Sequence, residues 1–301
     1  MKLIGIDIGG TKVSLSVGDK SGRISSQIRI DTHSVSDPER GVSKILELIS
    51  SLLERESLSI KEISAIGLAA PGPLSRKMGT LLAPPNLPLW INVPLVDRLE
   101  NEFGTEVFWD NDGNAGVLAE SIFGKRREMQ NLIFLTMSTG IGGGLIIGGK
   151  LIRGESDSAG EVGHMILDPK GPQCACGQQG CFEAYCGGIS IQKRVGMSME
   201  MLVQKVKEGD QSLLRIWEEY LERLAQGIGI LIQTLNPEAL ILGTIISKNA
   251  ALFIPPLKEA IKRYVWEAPL RDCQLEGSQL GERRGDLAAL AVALYGLTRQ
   301  P

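Results

Sequence analysis

Short apolar runs that end in glycine alternate along the chain with longer segments of helical period. Leu3–Asp7 is an apolar run of strand length. The chain then turns through Gly9-Gly10 and returns as Val13–Val17 with alternating residues, which predicts a β-hairpin. From Gly41 to Glu56 the apolar positions Val42, Ile45, Leu46, Leu48, Ile49, Leu52 and Leu53 recur at helical spacing, so this segment is a covering helix. Ile63–Ala70 reads as a buried strand. It is followed by Pro71-Gly72-Pro73, a rigid turn presenting backbone groups at the strand's carboxyl end, where open α/β sheets bind ligands. The Pro-rich stretch Ala83–Trp90 reads as an ordered loop with Asn86 and Trp90 as candidate ligand contacts. Asp97–Glu102 and Ala115–Phe123 have helical patterns, and Glu106–Trp109 between them has a strand pattern.

Asn131–Leu151 repeats the opening layout of apolar strand, polar glycine turn and second apolar strand. A duplication of this kind implies two similar α/β domains facing each other, each lending an anion-binding turn to a central cleft. In the first turn the donors are the backbone N–H groups of Gly9, Gly10, Thr11 and Lys12, with Asp7 at the strand end placed to hold Mg2+ through water. In the second turn they come from Ser138, Thr139 and Gly140. Gly144–Lys150 imitates a P-loop, but Leu151 stands where a magnesium-binding hydroxyl is required, so that reading is rejected. Ser198–Lys207, Gln211–Leu235 and Pro255–Tyr264 are helical by period. Ala239–Leu242 is a short buried strand ending at Gly243, at the edge of an expected adenine pocket, and Asp286–Leu297 is a closing helix expected to pack back on the first domain.

Composition narrows the class. A chain of 301 residues that is 43% hydrophobic can bury a sizeable core, and a net charge of -3 leaves no basic footprint for nucleic acid or an anionic membrane. The opening MKLIGIDIGG lacks the apolar core of a secretory leader, and no run is long enough to span a membrane. Five cysteines, three of them in one loop, suit metal ligation in a reducing compartment, so a cytoplasmic location is expected.

Two constellations carry the candidate chemistry. Cys174, Cys176 and Cys181 with His164 upstream offer three thiolates and an imidazole, the donor set of a closed tetrahedral zinc site; Cys186 is an alternative fourth ligand. Asp110, Asn111, Asp112 and Asn114 sit at a strand end directly before a helix. One of them suffices as the N-cap, which leaves the others as spare polar groups.

Taken together, D-x-G-G-T at Asp7–Thr11, P-G-P at Pro71–Pro73, N-D-x-N at Asn111–Asn114, S-T-G-I-G-G-G at Ser138–Gly144 and E-x-G-H-x9-C-x-C-G-x2-G-C-x-E at Glu161–Glu183 resemble the ROK family of sugar kinases and sugar-sensing repressors. The resemblance implies an α/β actin-like ATPase (ribonuclease H-like) fold with two domains around a cleft. The first would cover 1–113, completed by a helix at about 286–301, and the second 114–285, with the zinc loop at 164–181. It also implies transfer of a phosphoryl group from ATP to the 6-hydroxyl of a hexose, with Mg2+ as cofactor and Zn2+ as a structural ion. Glucose is the leading substrate; an N-acetylglucosamine or N-acetylmannosamine kinase, a fructokinase and a non-catalytic sugar sensor stay open. By the same resemblance Asp112 is the catalytic base, Gly72, Asn86, Asn111, Glu161, His164 and Glu183 hold the sugar, and Gly243 lies beside the nucleotide. A homodimer or homotetramer follows too. The first strand begins so close to residue 1 that no DNA-binding extension is expected. One departure stands out: where the family has Gly-Gly, this chain has Gly243-Thr244.

Overall fold

Strand alternation builds the first half of the structure, a computed structural model that describes residues 1–84 and 87–298. Strands β1 (Lys2–Ile8), β2 (Lys12–Asp19) and β3 (Ile24–Asp31) form an antiparallel meander. Helix α1 (Pro38–Glu56) follows, and β4 (Ile63–Ala70) then joins β1 in parallel. A small antiparallel ribbon of β5 (Leu74–Ser75), β6 (Thr80–Leu82) and β7 (Ile91–Val93) leads to α2 (Leu95–Phe103). Next come β8 (Val107–Asn111), parallel to β4, and α3 (Asp112–Phe123), which completes a sheet of order β3-β2-β1-β4-β8.

The period of two along β1 sorts its side chains between two faces. Ile4, Ile6 and Ile8 join Val42, Ile45, Ile49 and Leu52 of α1 in one buried cluster. Leu3 instead meets Ala65, Leu290 and Ala293, the last two from the C-terminal helix Arg284–Thr298. A side chain at Gly67 would collide with the Ala289 carbonyl, so glycine lets this helix lie directly on β4. Helix α1 begins earlier than its apolar pattern: the Asp37 side chain caps it by accepting from the Arg40 amide at 2.9 Å, and Pro38 fills the first turn.

This unit comprises 1–127, 153–157 and the residues from Glu282 onward. Helix α3, expected to open the second domain just after residue 113, packs on the C-terminal helix and lies with the first unit.

The second unit, 128–152 and 158–281, repeats the plan. Strands β9 (Leu132–Met137), β10 (Ile141–Ile147) and β11 (Lys150–Leu151) form the meander. Helices α4 (Phe182–Cys186), α5 (Gly188–Val195), α6 (Met199–Lys207) and α7 (Leu214–Leu235) precede β12 (Ala239–Leu242). Helices α8 (Thr244–Lys248), α9 (Ala250–Ile261) and α10 (Glu267–Asp272) then lead to β13 (Gln274–Gly277). The order β11-β10-β9-β12-β13, with β12 and β13 parallel to β9, is the first sheet over again in both sequence and strand sense. The duplication legible in two glycine turns thus extends to whole sheets.

Helix α7 supplies the core of this unit through Trp217, Tyr220, Leu224 and Ile228, and Trp217 meets Phe253 edge-on at 4.9 Å. Helix α9 runs through Pro255 and Pro256 and starts at Ala250, one turn ahead of the expected boundary. Among the described residues no helix is long and apolar enough to cross a membrane.

Candidate active site and metal centre

In the first unit, alternation along β1 turns Asp7 toward the start of the C-terminal helix, where a side chain on Gly285 would collide with its carboxylate. Burial of that carboxyl, with the Asp286 and Asp112 carboxylates nearby, raises the Asp7 pKa to about 7, while Lys12 and Arg284 oppose the shift. Asp286 is 2% exposed and accepts from Ser14 Oγ at 2.6 Å, from Gln27 Nε2 and from Arg29 Nη2 at 3.4 Å. Arg284 faces Asp7, Glu120 and Asp112, and burial lowers its pKa. A crowd of carboxylates, its charge only partly offset by Arg284, is an oxygen donor set suited to a hydrated dication. Sequence reading took Asp286 only as the start of an apolar helix and missed Arg284. The available signal was an Arg-x-Asp at the head of a helix destined for the strand that carries Asp7.

The crowding has a pH signature. The folded-state pKa of Asp7 lies above its ordinary 3.8, so the native state holds this proton more tightly, stability falls as pH rises between about 4 and 7, and the penalty is complete above that window. In magnesium-free buffer Asp7→Asn is expected to raise Tm at pH 8 by on the order of 5 °C and to change it little at pH 4. Equal shifts at both pH values would contradict this assignment.

The first glycine turn is narrower than the sequence suggested. The Gly9 amide donates to the Lys12 carbonyl at 2.9 Å, so it closes the turn and is not a donor for an anion. Thr32 braces the turn from outside, its hydroxyl on the Gly9 carbonyl at 2.9 Å and its amide on the Thr11 carbonyl at 3.1 Å. Gly10 and Thr11 form an exposed tip, and Lys12 opens β2.

The head of α3 separates its four polar residues by role. Asn111 is the cap, accepting from the Asn114 amide at 2.7 Å. Asp110 is 1% exposed, and its Oδ1 accepts from the Asn111 amide at 3.0 Å and from Asn114 Nδ2 at 2.7 Å. Three of the four are thereby bound to one another. Asp112 is exposed at the first helical position, where the helix dipole favours a carboxylate. Gly72 lies close by: Ala70 pairs with Asn111 in the register of β4 and β8, and Gly72 is in the bend just beyond. Trp90 is no ligand contact, because it has no exposed surface and its indole N–H donates to the Val35 carbonyl at 2.9 Å inside the core. Asn86 lies outside the described residues.

In the second unit the Ser138–Gly140 turn is fastened to the head of α5, with the Gly188 amide on the Ser138 carbonyl at 2.9 Å and the Ile189 amide on the Thr139 carbonyl at 3.0 Å. Glu183 lies under it, accepting from the Ile141 amide at 2.7 Å, and a side chain on Gly140 would collide with that carboxylate. Glu161 has an exposed side chain overall, yet desolvation at its carboxyl group and the nearby Glu183 raise its pKa, opposed by His164. Glu161, His164 and Glu183 are thus neighbours, as expected. At the end of β12, Gly243 donates to the Leu135 carbonyl at 2.8 Å. Thr244 takes a left-handed φ of 51°, a glycine conformation, and its hydroxyl is held by Met137, accepting from the amide at 2.9 Å and donating to the carbonyl. Two hydrogen bonds at one hydroxyl offset the strain of a β-branched residue there, which is how this chain tolerates threonine.

The metal ligands converge. One donor atom from each of His164, Cys174, Cys176 and Cys181 lies within 4.8 Å of all the others, with His164 Nδ1 and Cys174 Sγ at 3.7 Å and Cys176 Sγ and Cys181 Sγ also at 3.7 Å. Zinc–sulfur bonds of about 2.3 Å at tetrahedral angles separate ligand atoms by about 3.7 Å, so the four residues fit zinc. Glycines shape the loop: Gly180 has a φ of 71° and touches the Asp168 backbone, leaving no space for a side chain. Burial, helped by its thiol neighbours, pushes the Cys181 pKa up to about 12. Cys186, the alternative ligand, is buried in the hydrophobic core with its sulfur 3.8 Å from the Tyr220 carbonyl, away from this group.

Comparison with known proteins decides the family. The ROK family profile matches residues 3–295. The chain belongs to the ROK family. This ROK protein is 32% identical to a glucokinase of Thermotoga maritima, with 97% of each chain covered. It is also 29% identical to a xylose repressor of Caldicellulosiruptor bescii, over 99% of this chain and 79% of the repressor. Among solved structures, a ROK hexokinase from Thermus thermophilus superposes with a TM-score of 0.88 at 31% identity and full coverage of both chains. A ROK glucokinase from Streptomyces griseus, in complex with glucose and AMPPNP, gives 0.81 at 29% identity over 98% and 100% of the two chains. The fold is that of the actin-like ATPases, as the resemblance implied.

Proposed function

We propose that this ROK protein is an ATP-dependent sugar kinase that phosphorylates the 6-hydroxyl of glucose. The observation that carries the reading is the head of α3, where Asp110, Asn111 and Asn114 are locked together and the carboxylate of Asp112 is exposed. A carboxylate held on a rigid helix start suits a general base. Asp112 accepts the hydroxyl proton as the sugar oxygen attacks the γ-phosphorus; an oxygen–phosphorus bond forms there while the bond to ADP breaks.

The remaining groups position and neutralise. Glu161 and Glu183 accept hydrogen bonds from sugar hydroxyls, and His164 turns Nε2 to the sugar, since its Nδ1 faces Cys174. Asn111 offers its amide N–H2 group, its carbonyl being the cap. The exposed tip at Gly10 and Thr11, with Lys12 beside it, and the Ser138–Gly140 turn are the phosphate-binding elements, and Gly243-Thr244 borders the nucleotide. Mg2+, held through water at Asp7, would neutralise charge on the transferring phosphates. Zinc on His164 and the three cysteines is structural and keeps the sugar-binding imidazole in place. The protein works in the cytoplasm as a homodimer or homotetramer.

Glucose is favoured over an N-acetylated hexosamine or fructose by similarity to glucokinases, one of which holds glucose in its crystal structure. The test is a coupled ADP-release assay of the purified protein with Mg-ATP and a panel of glucose, mannose, fructose, N-acetylglucosamine and N-acetylmannosamine. The expected result is a kcat/KM for glucose at least about tenfold above any other sugar, a difference of 1.4 kcal/mol in transition-state binding. A higher value for an acetylated sugar would replace glucose, and sugar binding without ADP release would favour a sensor.

A further inference from the structure

We infer that Arg153 is a positioning residue for Asp112, acting through Asp110; the inference rests on the reading of Asp112 as the base. Arg153 lies outside the sequence motifs, and Asp110 belongs to them only as a member of the polar cluster before α3. The second unit ends its first segment at Ile152, and Arg153 is the first residue to lie with the first unit. There its Nε donates to Asp110 Oδ2 at 2.7 Å while its guanidinium covers the Tyr295 ring at 5.5 Å.

Asp110 is 1% exposed, and a buried carboxylate needs both charge and hydrogen bonds around it. Its two oxygens divide the work: Oδ1 holds the Asn111 amide and the Asn114 side chain, and Oδ2 is held by Arg153. The other cation near Oδ2, Arg76, is at 4.0 Å and gives its Nε hydrogen bond to the Trp109 carbonyl at 3.3 Å, so it does not replace Arg153. The same inserted segment reaches Arg76 by a second path, through Asp157 Oδ2 on the Arg76 amide at 3.1 Å. Arg153 therefore sets the plane of the Asp110 carboxylate. That plane sets the cap formed by Asn111 and Asn114, and the next residue along is Asp112. Without Arg153 the carboxylate loses the closer of its two cations and the hydrogen bond on Oδ2, its plane is free to rotate, and the head of α3 loosens. A displacement of the base by about 1 Å is enough to cost on the order of 10²-fold in rate.

The experiment is a double-mutant cycle on the full-length protein with Mg-ATP and glucose. Arg153→Gln is expected to lower kcat by roughly 10- to 100-fold, with KM for Mg-ATP within about twofold of wild type and zinc content unchanged. In an Asp112→Asn background the same change should cost less than about threefold, because there is no base left to misplace. Arg153→Lys keeps the charge without the planar fork and should show the same non-additivity at smaller amplitude, which covers the case of a poorly folded Gln variant. Equal fractional losses in both backgrounds, or a kcat for Arg153→Gln within about threefold of wild type, would overturn the inference. If Asp112→Asn alone retains full turnover, what fails is the assignment of the base.

Discussion

Asp112→Asn is expected to reduce the turnover of glucose by roughly 10²- to 10⁴-fold, the range associated with loss of a positioned general base, and to leave KM for both substrates nearly unchanged. Asparagine keeps the size of the side chain and suits a helix start, so the fold should survive; matching circular dichroism and Tm would confirm that. The variant also removes one of the carboxylates that raise the Asp7 pKa, so Asp7 should titrate lower in it than in the wild type. Steady-state kinetics at saturating Mg-ATP decide the matter. A variant that retains most of its turnover would show that proton acceptance lies elsewhere.

Cys181→Ser carries the second large effect. Cys181 is fully buried and its sulfur lies 3.7 Å from that of Cys176, so a hydroxyl there is too short and too hard to complete the tetrahedron. Zinc measured by atomic emission should fall from about one ion per chain to near zero. Loss of a few kcal/mol of metal-linked folding energy in a unit of this size should lower Tm by on the order of 10 °C. KM for glucose should rise as well, because His164 shares the metal site with the cysteines and neighbours Glu161. With the thiol pKa at about 12 in the metal-free state, zinc must displace protons to bind, and its affinity should fall steeply as pH drops. Cys186→Ala is the control and should retain zinc. Loss of zinc in that control, or its retention in Cys181→Ser, would reverse the ligand assignment.

What could be read from the chain in advance was local. The zinc ligands are drawn from a short stretch whose glycines and proline declare a tight wrap, and the two strand-turn-strand repeats announce themselves by apolar runs flanking glycines. Strand β4 was delimited to the residue because it is buried along almost its whole length. Strands β3 and β13 were missed for the opposite reason: they are edge strands, half-exposed and polar, so no period separates them from loop. The misplaced turn donor at Gly9 and the buried Trp90 show a second limit, since whether an amide or an indole is already engaged depends on partners that pattern does not reveal. Asp286, Arg284 and Arg153 mark the third. Each reaches the end of β1 or the head of α3 from far away in sequence, and only the folding of the C-terminal helix and the inserted segment onto the first sheet brings them there.

The proposed reaction is phosphoryl transfer from ATP to the sugar 6-hydroxyl, and it requires the sugar. Its most direct test is phosphorus NMR of the purified protein incubated with Mg-ATP and glucose. Loss of the γ-phosphate signal should be matched one for one by glucose 6-phosphate, with no loss when glucose is omitted. ATP left intact in the presence of glucose, or consumed equally without it, would contradict the account.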